Sequence, residues 1–497
     1  MKRQIIRYWG RKPSELAQHY IGLYSKPGEI VADTFGGSGI FVDVALELGR
    51  KAIYVDLNPF AELIAHSLIG GCDVLRYQQA VQKILARDSI LANVGGEEMR
   101  LEPRKLFHVR CTCERSIEAK SIFFTRIYQV MSTSSTKVNG IRDEVVRTIQ
   151  KKGLITHEDL CAAHKNIHTQ SLSNIVKQLV RQGVIVEKEM PISAYLLEPC
   201  RCGRKEIIFK NENIWAINGP IKPYYWYPVD SLEYENGEPF LKKRDVLRVN
   251  ELFLDRSLAI LSAIWDDICS LKVDRSTKRC LKLTFMATLA RSSKMCRRSG
   301  GTWPINSYWI PRNFIVKNPY IVFENAANQM INFTKNKRKF KCGRLKDVVK
   351  GDADVTFLVT DSTKLNMPES SVDYVIIDPP HTDEAQFLEL SVFYTSWLKQ
   401  KLPFENELIV NAKQGKTLNI YMRMLKEAAK KVHHILKPNK YFTVILHEED
   451  LSILKSSIEA ICSVGFQLVK DDKEGDYNIY TFLKQGSHEL KIDGVQS

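Results

Sequence analysis

The sequence predicts an α/β fold, a doubly wound sheet of about seven strands whose two halves are separated by a long inserted region. The first observation is an apolar strand at residues 29–33 that runs into a glycine turn and an apolar helix at residues 40–48. The second is an apolar strand at residues 372–377 that ends directly in Asp378, Pro379, Pro380 and His381. Ligands of such sheets bind at the carboxyl ends of the strands, so both segments are expected to face one cleft.

The first strand, turn and helix have the pattern of a nucleoside-binding unit. The turn comprises Asp33, Thr34, Phe35, Gly36, Gly37, Ser38 and Gly39. The helix ends at Gly49, and a second strand follows and ends at Asp56, Leu57 and Asn58. Asp56 stands 17 positions after Gly39 (56 minus 39), where an acidic residue binds a ribose diol. The turn lacks the full G-x-G-x-x-G of a pyrophosphate site, which favours S-adenosylmethionine over a dinucleotide; the alternatives are a turn without a ligand and a turn that binds another nucleotide.

The tetrapeptide at 378–381 suits the amino group of a nucleobase. An exocyclic amine is a poor nucleophile because its lone pair is delocalised into the ring. The Asp378 carboxylate and a main-chain carbonyl of the proline pair provide two acceptors for its N–H groups, and the ring of His381 provides a surface for stacking. The alternative is an Asp-Pro turn that only closes the strand.

The rest of the C-terminal part completes the sheet. A strand at residues 355–359 ends near Asp361, which either accepts a hydrogen bond from the cofactor adenine or caps the strand end. Helices at 387–398, 421–436 and 451–465 alternate with strands at 441–446, 466–470 and 478–483. Asp33, Asp56, Asp361 and Asp378 are therefore expected at one sheet edge.

Composition favours a nucleic-acid partner. Among 497 residues, 72 Lys and Arg outnumber 57 Asp and Glu, which gives a net charge of +15. Such a charge attracts phosphate, although a solvated basic surface is equally compatible with it. The sequence contains no run of 18 apolar residues and no signal-peptide core, so we expect a cytoplasmic protein without a membrane partner. The 11 cysteines are expected to be reduced thiols or metal ligands.

Four cysteines in the insertion form two Cys-x-Cys pairs. They are Cys111, Cys113, Cys200 and Cys202. Four thiolates make a closed tetrahedral zinc site, which has a structural role because it leaves no position for a catalytic water. The alternative is a set of buried free thiols.

A helical unit lies between the two cysteine pairs. Apolar residues recur at helical spacing in residues 141–149 and 169–180, Thr156 begins a short acidic helix, and residues 183–188 read as a strand. Three helices and a strand resemble a winged helix, which lays its third helix in a major groove. A small packing or protein-interaction module is the alternative.

Taken together, the motifs resemble those of the amino-DNA methyltransferases. The segments that carry the resemblance are 9–13, 23–28, the turn at 33–39, the tetrapeptide, 389–398, 411–416 and 434–438. The family has a lysine-proline segment before its D-x-F-x-G-S-G turn and a (D/N/S)-P-P-(Y/F/W) tetrapeptide. His381 replaces the usual aromatic residue of that tetrapeptide, so stacking is expected to be weaker and to depend on protonation.

The resemblance implies methyl transfer from S-adenosylmethionine to an amino nitrogen of a base flipped out of double-stranded DNA. It adds Lys12 and Pro13 to the cofactor-binding residues of the glycine turn and of positions 56–58. An aspartate at 378 favours N6 of adenine over N4 of cytosine. The alternatives are a catalytically inactive DNA-binding regulator and an RNA base methyltransferase, and a cognate restriction enzyme is a candidate partner.

The predicted domain organisation follows the motif order. The segments are a cofactor-binding half (1–75), an insertion with the first cysteine pair (76–138), a winged-helix-like module (139–190), the second cysteine pair with an aromatic stretch (191–245), a helical target-recognition region (246–344) and a catalytic half (345–490).

Overall fold

The computed structural model describes residues 5–6, 8–10, 12–131, 140–209, 214–243, 246–297, 307–382 and 385–486. Its α-helices are α1 (Ser14–Tyr24), α2 (Ile40–Glu47), α3 (Pro59–Gly70), α4 (Val74–Leu85), α5 (Ile141–Lys152), α6 (His157–Ala163), α7 (Thr169–Arg181), α8 (Asp255–Ser270), α9 (Arg275–Ser292), α10 (Pro319–Lys335), α11 (Leu345–Lys350), α12 (Phe387–Thr395), α13 (Leu418–Ile435) and α14 (Leu451–Cys462). Its strands are β1 (Ile30–Asp33), β2 (Lys51–Asp56), β3 (Ile90–Val94), β4 (Glu97–Leu101), β5 (His108–Arg110), β6 (Ser116–Val130), β7 (Ile155–Thr156), β8 (Ile185–Leu196), β9 (Glu206–Ile208), β10 (Ile221–Pro223), β11 (Asn313–Lys317), β12 (Val355–Val359), β13 (Val372–Ile377), β14 (Leu436–Leu446), β15 (Phe466–Glu474) and β16 (Tyr477–Lys484).

The predicted α/β class is confirmed by a seven-stranded sheet in the order β12-β2-β1-β13-β14-β16-β15. Strands β12, β2, β1, β13 and β14 are parallel to one another, and β16 and β15 are each antiparallel to the strand before them in this order. Strand β1 of the N-terminal part pairs directly with β13, in the register Val31 to Tyr374. The glycine turn and the tetrapeptide therefore follow adjacent strands at the centre of the sheet.

Alternation along the central strands explains why helices cover both faces of the sheet. In β1, Ile30 and Ala32 join a core with α11, α13 and α14, whereas Val31 joins a core with α1, α2 and α3. Successive side chains of a strand point to opposite faces, so a short apolar strand buried on both sides needs two helical layers. The buried Asp373 side chain also ties the halves together, because it accepts hydrogen bonds from the Ile30 amide (3.0 Å) and from Lys437 Nζ (2.7 Å).

Most of the insertion packs as a third core beside the sheet. Helices α8, α9 and α10 pack with α4 and α12, and most of the side chains of α8 are buried. Strands β11, β6, β8 and β9 form a second sheet in that order, to which β5 and β7 are added by pairing with β6. The aromatic stretch after the second cysteine pair is largely irregular, with only Ile221–Pro223 in a strand. Within the described residues, no helix combines the length and the apolarity needed to cross a bilayer.

Candidate active site

Residues from both halves of the sheet line one cavity of about 950 Å³ at the carboxyl ends of β1, β2, β12 and β13. The predicted residues that line it are Lys12, Asp33, Phe35, Gly36, Gly37, Ser38, Asp56, Leu57, Asn58, Asp361, Asp378, Pro379, Pro380 and His381. The other predicted residues, Pro13, Thr34 and Gly39, are not part of this lining. Pro13 is instead the exposed N-cap of α1, and the Thr34 carbonyl accepts a hydrogen bond from the Ser362 hydroxyl.

The glycine turn is shaped by close packing. A Cβ on Gly36 would lie 2.2 Å from the ring of Tyr54, and one on Gly39 would lie 2.8 Å from Ala65, at a φ of +80°. Larger residues at these positions would displace the turn from the strand and helix behind it. The turn also orients an acid, because the Gly37 amide donates to Asp56 Oδ2 at 2.7 Å.

The carboxylates of Asp56 and Asp33 both line the cavity beside the turn, but they differ in how many of their oxygens accept a hydrogen bond. Both oxygens of Asp56 accept backbone amides, from Gly37 and Asn58, and burial raises its pKa to about 6. Asp33 Oδ1 accepts the Phe35 amide at 3.0 Å, whereas the buried Oδ2 has no hydrogen-bond partner in the described part of the chain. Burial raises the pKa of Asp33 well above its usual value. An unsatisfied buried acceptor marks a place where a ligand donor fits.

Asp361 and Asn58 serve the fold as well as the cavity. Asp361 Oδ1 accepts hydrogen bonds from the amide (2.8 Å) and the hydroxyl (2.7 Å) of Thr363, so this carboxylate caps the short turn that follows β12. Asn58 caps α3, and its Nδ2 donates to Ser391 Oγ at 2.7 Å. Both side chains nevertheless contribute to the cavity wall.

Lys12 forms an ion pair with the aspartate of the tetrapeptide. Its Nζ lies 2.6 Å from Asp378 Oδ2, with side-chain exposures of 3% and 17% respectively. Burial raises the pKa of Asp378 to about 6, while the lysine opposes that rise. The second carboxylate oxygen, Oδ1, is buried and has no hydrogen-bond partner within the described residues. Asp378 thus keeps one acceptor for an incoming donor.

His381 is held next to this carboxylate as a neutral ring. Its Nε2 lies 3.6 Å from Asp378 Oδ1, and its Nδ1 accepts the His447 amide at 3.3 Å. Burial, with Lys12 and His447 nearby, lowers the pKa of His381 to about 3. The ring is therefore uncharged at neutral pH, and any stacking on it does not depend on protonation there. The Pro380 carbonyl accepts the Tyr421 hydroxyl at 2.9 Å.

Glu407, a buried acid in the cavity wall, was not among the residues predicted from the sequence. Its side chain comes from the loop after α12; Oε1 accepts the Leu388 amide at 2.8 Å, and the buried Oε2 has no partner in the described part of the chain. Burial raises its pKa to about 7. An acid next to the apolar residues Leu408 and Ile409 was the only local signal. Other lining residues outside the predicted set include Tyr8, Trp9, Phe387, His447 and Tyr477.

The four predicted cysteine ligands lie together, away from the cavity, with all four sulfur atoms within 4.8 Å of one another. The Cys111–Cys202 and Cys113–Cys200 sulfur atoms are 3.6 and 3.5 Å apart. Four thiolates at a Zn–S distance of about 2.3 Å have sulfur atoms separated by about 3.8 Å, so the cluster has the size of a tetrahedral zinc site.

The two cysteine pairs are folded alike. The Cys111 amide donates to the Arg115 carbonyl and the Glu114 amide to the Cys111 carbonyl; the Cys200 amide donates to the Arg204 carbonyl and the Gly203 amide to the Cys200 carbonyl. Glu114 and Gly203 both have positive φ, +67° and +83°. The positive φ at the matching position of each pair, at a glutamate in one and a glycine in the other, shows that the two pairs form equivalent turns.

Comparisons with known proteins connect the N-terminal segment to one family. Residues 2–67 match the family described as DNA methylase. The type II methyltransferase M.MjaII of Methanocaldococcus jannaschii is 27% identical over 100 residues, which cover 20% of this chain and 19% of that protein. The chain therefore matches about a fifth of this curated relative. The predicted resemblance to amino-DNA methyltransferases is confirmed by these matches.

Solved structures of low similarity include three methyltransferase-related or RNA-processing proteins. A Thermus thermophilus protein described as a DNA modification methylase aligns over 29% of this chain and 52% of its own, at 12% identity and TM-score 0.16. The 1,6-didemethyltoxoflavin-N1-methyltransferase of Burkholderia thailandensis aligns over 28% of this chain and 54% of its own, at 14% identity and TM-score 0.17. The Methanococcus jannaschii fibrillarin pre-rRNA processing protein aligns over 28% of this chain and 50% of its own, at 13% identity and TM-score 0.16. At these TM-scores the fold assignment depends on the sheet order itself.

Proposed function

We propose that this chain, whose residues 2–67 match the DNA methylase family, moves a methyl group from S-adenosylmethionine to the exocyclic amino nitrogen of a DNA base. The observation that carries the proposal is the single cavity lined by both the glycine turn and the tetrapeptide of Asp378. Direct transfer needs the cofactor site to lie within reach of the acceptors that hold the amine, since catalysis depends on positioning the two reactants. We call these acceptors, at residues 378–381, the clamp.

The residues of the turn side fit S-adenosylmethionine through their carboxylate acceptors. Asp33 Oδ2 suits the methionine ammonium, the Asp56 carboxylate suits the ribose diol, and Asp361 suits the adenine amino group. Glu407 Oε2 offers a further acceptor in the same wall. The bound cofactor supplies an electrophilic methyl group on a sulfonium, and a cavity with several carboxylates favours that positive charge.

On the tetrapeptide side, the chain's own groups orient the amine. Asp378 Oδ1 accepts one N–H, because Oδ2 is already bound by Lys12. The Pro380 carbonyl is bound by Tyr421, so we assign the second acceptor to the Pro379 carbonyl. Two acceptors directed at the same nitrogen favour a more tetrahedral geometry and release its lone pair for attack. The neutral ring of His381 provides the stacking surface.

The clamp implies that the target base leaves the duplex, because Asp378 is only 17% exposed and a stacked base cannot reach it. N6 of adenine is the favoured acceptor, on the family association of aspartate at position 378. Fixing the methylated base and its sequence context requires modified-base sequencing of DNA from cells that express the chain.

Asp378→Ala is the direct test of the clamp. We expect methyl transfer to be lost, while S-adenosylmethionine binding measured by calorimetry stays close to that of the wild type, because the turn-side acceptors are intact. Asp352→Ala removes an exposed carboxylate outside the cavity lining and serves as the control. Full transfer activity in the Asp378 variant would remove the catalytic assignment.

Two wild-type measurements test the wider proposal. Absence of S-adenosylmethionine binding would favour the alternative of a DNA-binding regulator, since that function needs no cofactor. Competition between duplex DNA and structured RNA at fixed salt separates a DNA substrate from an RNA one.

The four cysteines are assigned to one structural zinc ion. A closed set of four sulfur ligands leaves no open position for substrate, so the ion would hold strand ends together and take no part in methyl transfer.

A further inference from the structure

The insertion contains an arm, described at residues 108–131 and 140–208, in which a long strand pair joins the cysteine cluster to a helical head. Strand β6 pairs with β8 from Ala119 and Leu196 to Val130 and Ile185. The cysteine pairs lie next to the start of β6 and beyond the end of β8, and helices α5, α6 and α7 lie at the opposite end. At about 3.3 Å per residue, the 15 residues of β6 span about 50 Å. The base of the arm, which includes Cys111, Ile122 and Cys200, packs in the third core, and the head lies at the opposite end of the strand pair with a core of its own.

The head has its own core and the element order of a winged helix. Its core comprises Tyr128, Val145, Ile149, Ile155, Leu160, Leu172, Val176, Leu179, Val184 and Ile185. The chain order is α5, the short strand β7, α6, α7 and β8. Both β7 and β8 pair with β6, which precedes them in sequence and takes the place of the third strand. The arrangement is a permuted winged helix, in which α7 stands where such domains carry their recognition helix.

The outer face of α7 is polar and free of acid. Gln170, Asn174, Lys177 and Arg181 recur at spacings of four, three and four residues, so they lie along one face of the helix, and all four are exposed. The opposite face buries Leu172, Val176 and Leu179. The helix contains no aspartate or glutamate. Amide and cationic side chains in one row match the donors and acceptors of base edges and the charge of phosphates.

We propose that α7 enters the major groove of duplex DNA and reads the sequence around the base to be methylated. This inference depends on the proposed function for its methylation context, but the DNA contact itself does not. A helix that docks on a protein presents apolar anchors, and this face presents none. The deep, narrow major groove of duplex RNA does not admit a helix, whereas that of B-DNA does.

The head is fixed in orientation relative to the rest of the insertion. Arg312 donates to Ser173 Oγ of α7 at 3.1 Å, and Asn313 donates to Glu158 Oε1 of α6 at 3.0 Å. Both donors adjoin or belong to β11, which pairs with β6. A recognition helix with a set orientation can convert its position on the duplex into a fixed position for the target base.

Two double variants of α7 separate recognition of the base sequence from electrostatic attraction to the phosphates. Lys177→Ala with Arg181→Ala should weaken binding to a random-sequence duplex pool about fivefold or more and make the slope of log K against log salt shallower by about 0.9 per lost phosphate contact. Gln170→Ala with Asn174→Ala should retain that binding but relax the sequence context in methylated-base maps. Lys151→Ala with Lys152→Ala removes the same charge from exposed positions in the last turn of a different helix of the head, α5, and should change neither the binding nor the sequence context.

The outcomes distinguish failure of this inference from failure of the methyltransferase assignment. If the Lys177 and Arg181 double variant of α7 has the same DNA affinity and salt slope as the Lys151 and Lys152 double variant of α5, the groove contact is overturned. This holds whether or not the wild type methylates DNA. An unchanged methylation context in the Gln170 and Asn174 variant of an active enzyme overturns base reading. Equal competition by duplex RNA of the same length overturns the choice of DNA.

Discussion

Lys12 and Asp378 line one cavity, and the lysine favours the ionised form of the Asp378 carboxyl group. The carboxyl group has a pKa raised to about 6 by burial, and the lysine 2.6 Å away opposes that rise. Above this pKa, Asp378 is ionised and offers acceptors; below it, the group carries a proton where the amine needs an acceptor. Lys12 therefore has a positioning role in the proposed clamp as well as the cofactor role that family resemblance implies.

This pair predicts the acid limb of the pH profile. Methyl transfer should fall as the pH drops through about 6, and Lys12→Met should move that limb upward by about 1–3 pH units, because the opposing cation is gone. The measurement is single-turnover transfer against pH, with S-adenosylmethionine affinity recorded in parallel. Lys26→Met, at an exposed position, is the control. An unshifted limb in the Lys12 variant contradicts this account of the ionisation.

Local sequence was enough to locate the acids at strand ends but not their partners. Asp33, Asp56 and Asp378 each end or follow a recognisable apolar strand, and that pattern fixes their edge of the sheet. The Lys12 contact arises from a segment before α1, and Glu407 comes from an irregular loop after α12. Such placements depend on tertiary packing, which no periodicity in the sequence encodes.

At the scale of elements, the strand pair β6 and β8 is the feature that sequence patterns conceal. The predicted third helix at 169–180 agrees with α7 to within one residue, because its apolar repeat is regular. Strand β6, by contrast, is continuous in buried residues from Ser121 to Thr125 and mixed elsewhere, so it lacks a clean alternation. Its partner lies beyond the head, so the sequence predicted that the two cysteine pairs meet but not the strand pair that brings them together.

Zinc at that end should be measurable and should hold the strand ends together. Protein purified without chelator is expected to contain one zinc per chain, and Cys113→Ser with Cys202→Ser should lose it and increase amide hydrogen exchange at the ends of β6 and β8 next to the cysteines. Cys269→Ser with Cys342→Ser removes two other exposed thiols and should retain the metal. Wild-type protein that fails to bind zinc would refute the assignment.

For the whole molecule, the insertion divides into a part that shares a core with helices of the methyltransferase-like sheet and a head that has a core of its own. Helices α8, α9 and α10 lie in a core shared with α3, α4 and α12, so much of the region predicted to recognise the target is interior. Its target-recognition role stays a prediction, and the exposed α7 is the stronger candidate for base reading. A sequence shows that helices are apolar on one face but not which neighbour covers them.

The same division predicts which parts of the chain a bound cofactor stabilises. S-adenosylhomocysteine at a hundredfold excess over its Kd should stabilise the folded sheet by about 2.7 kcal/mol and raise the main thermal transition by roughly a few degrees. Hydrogen exchange should slow in β1, β2 and β13, whose ends form the cavity. Amides of α5 and α7 should exchange as before, because the head has a separate core. Equal protection of the head would instead show that cofactor binding and the recognition arm are energetically coupled, contrary to the independence expected from the packing.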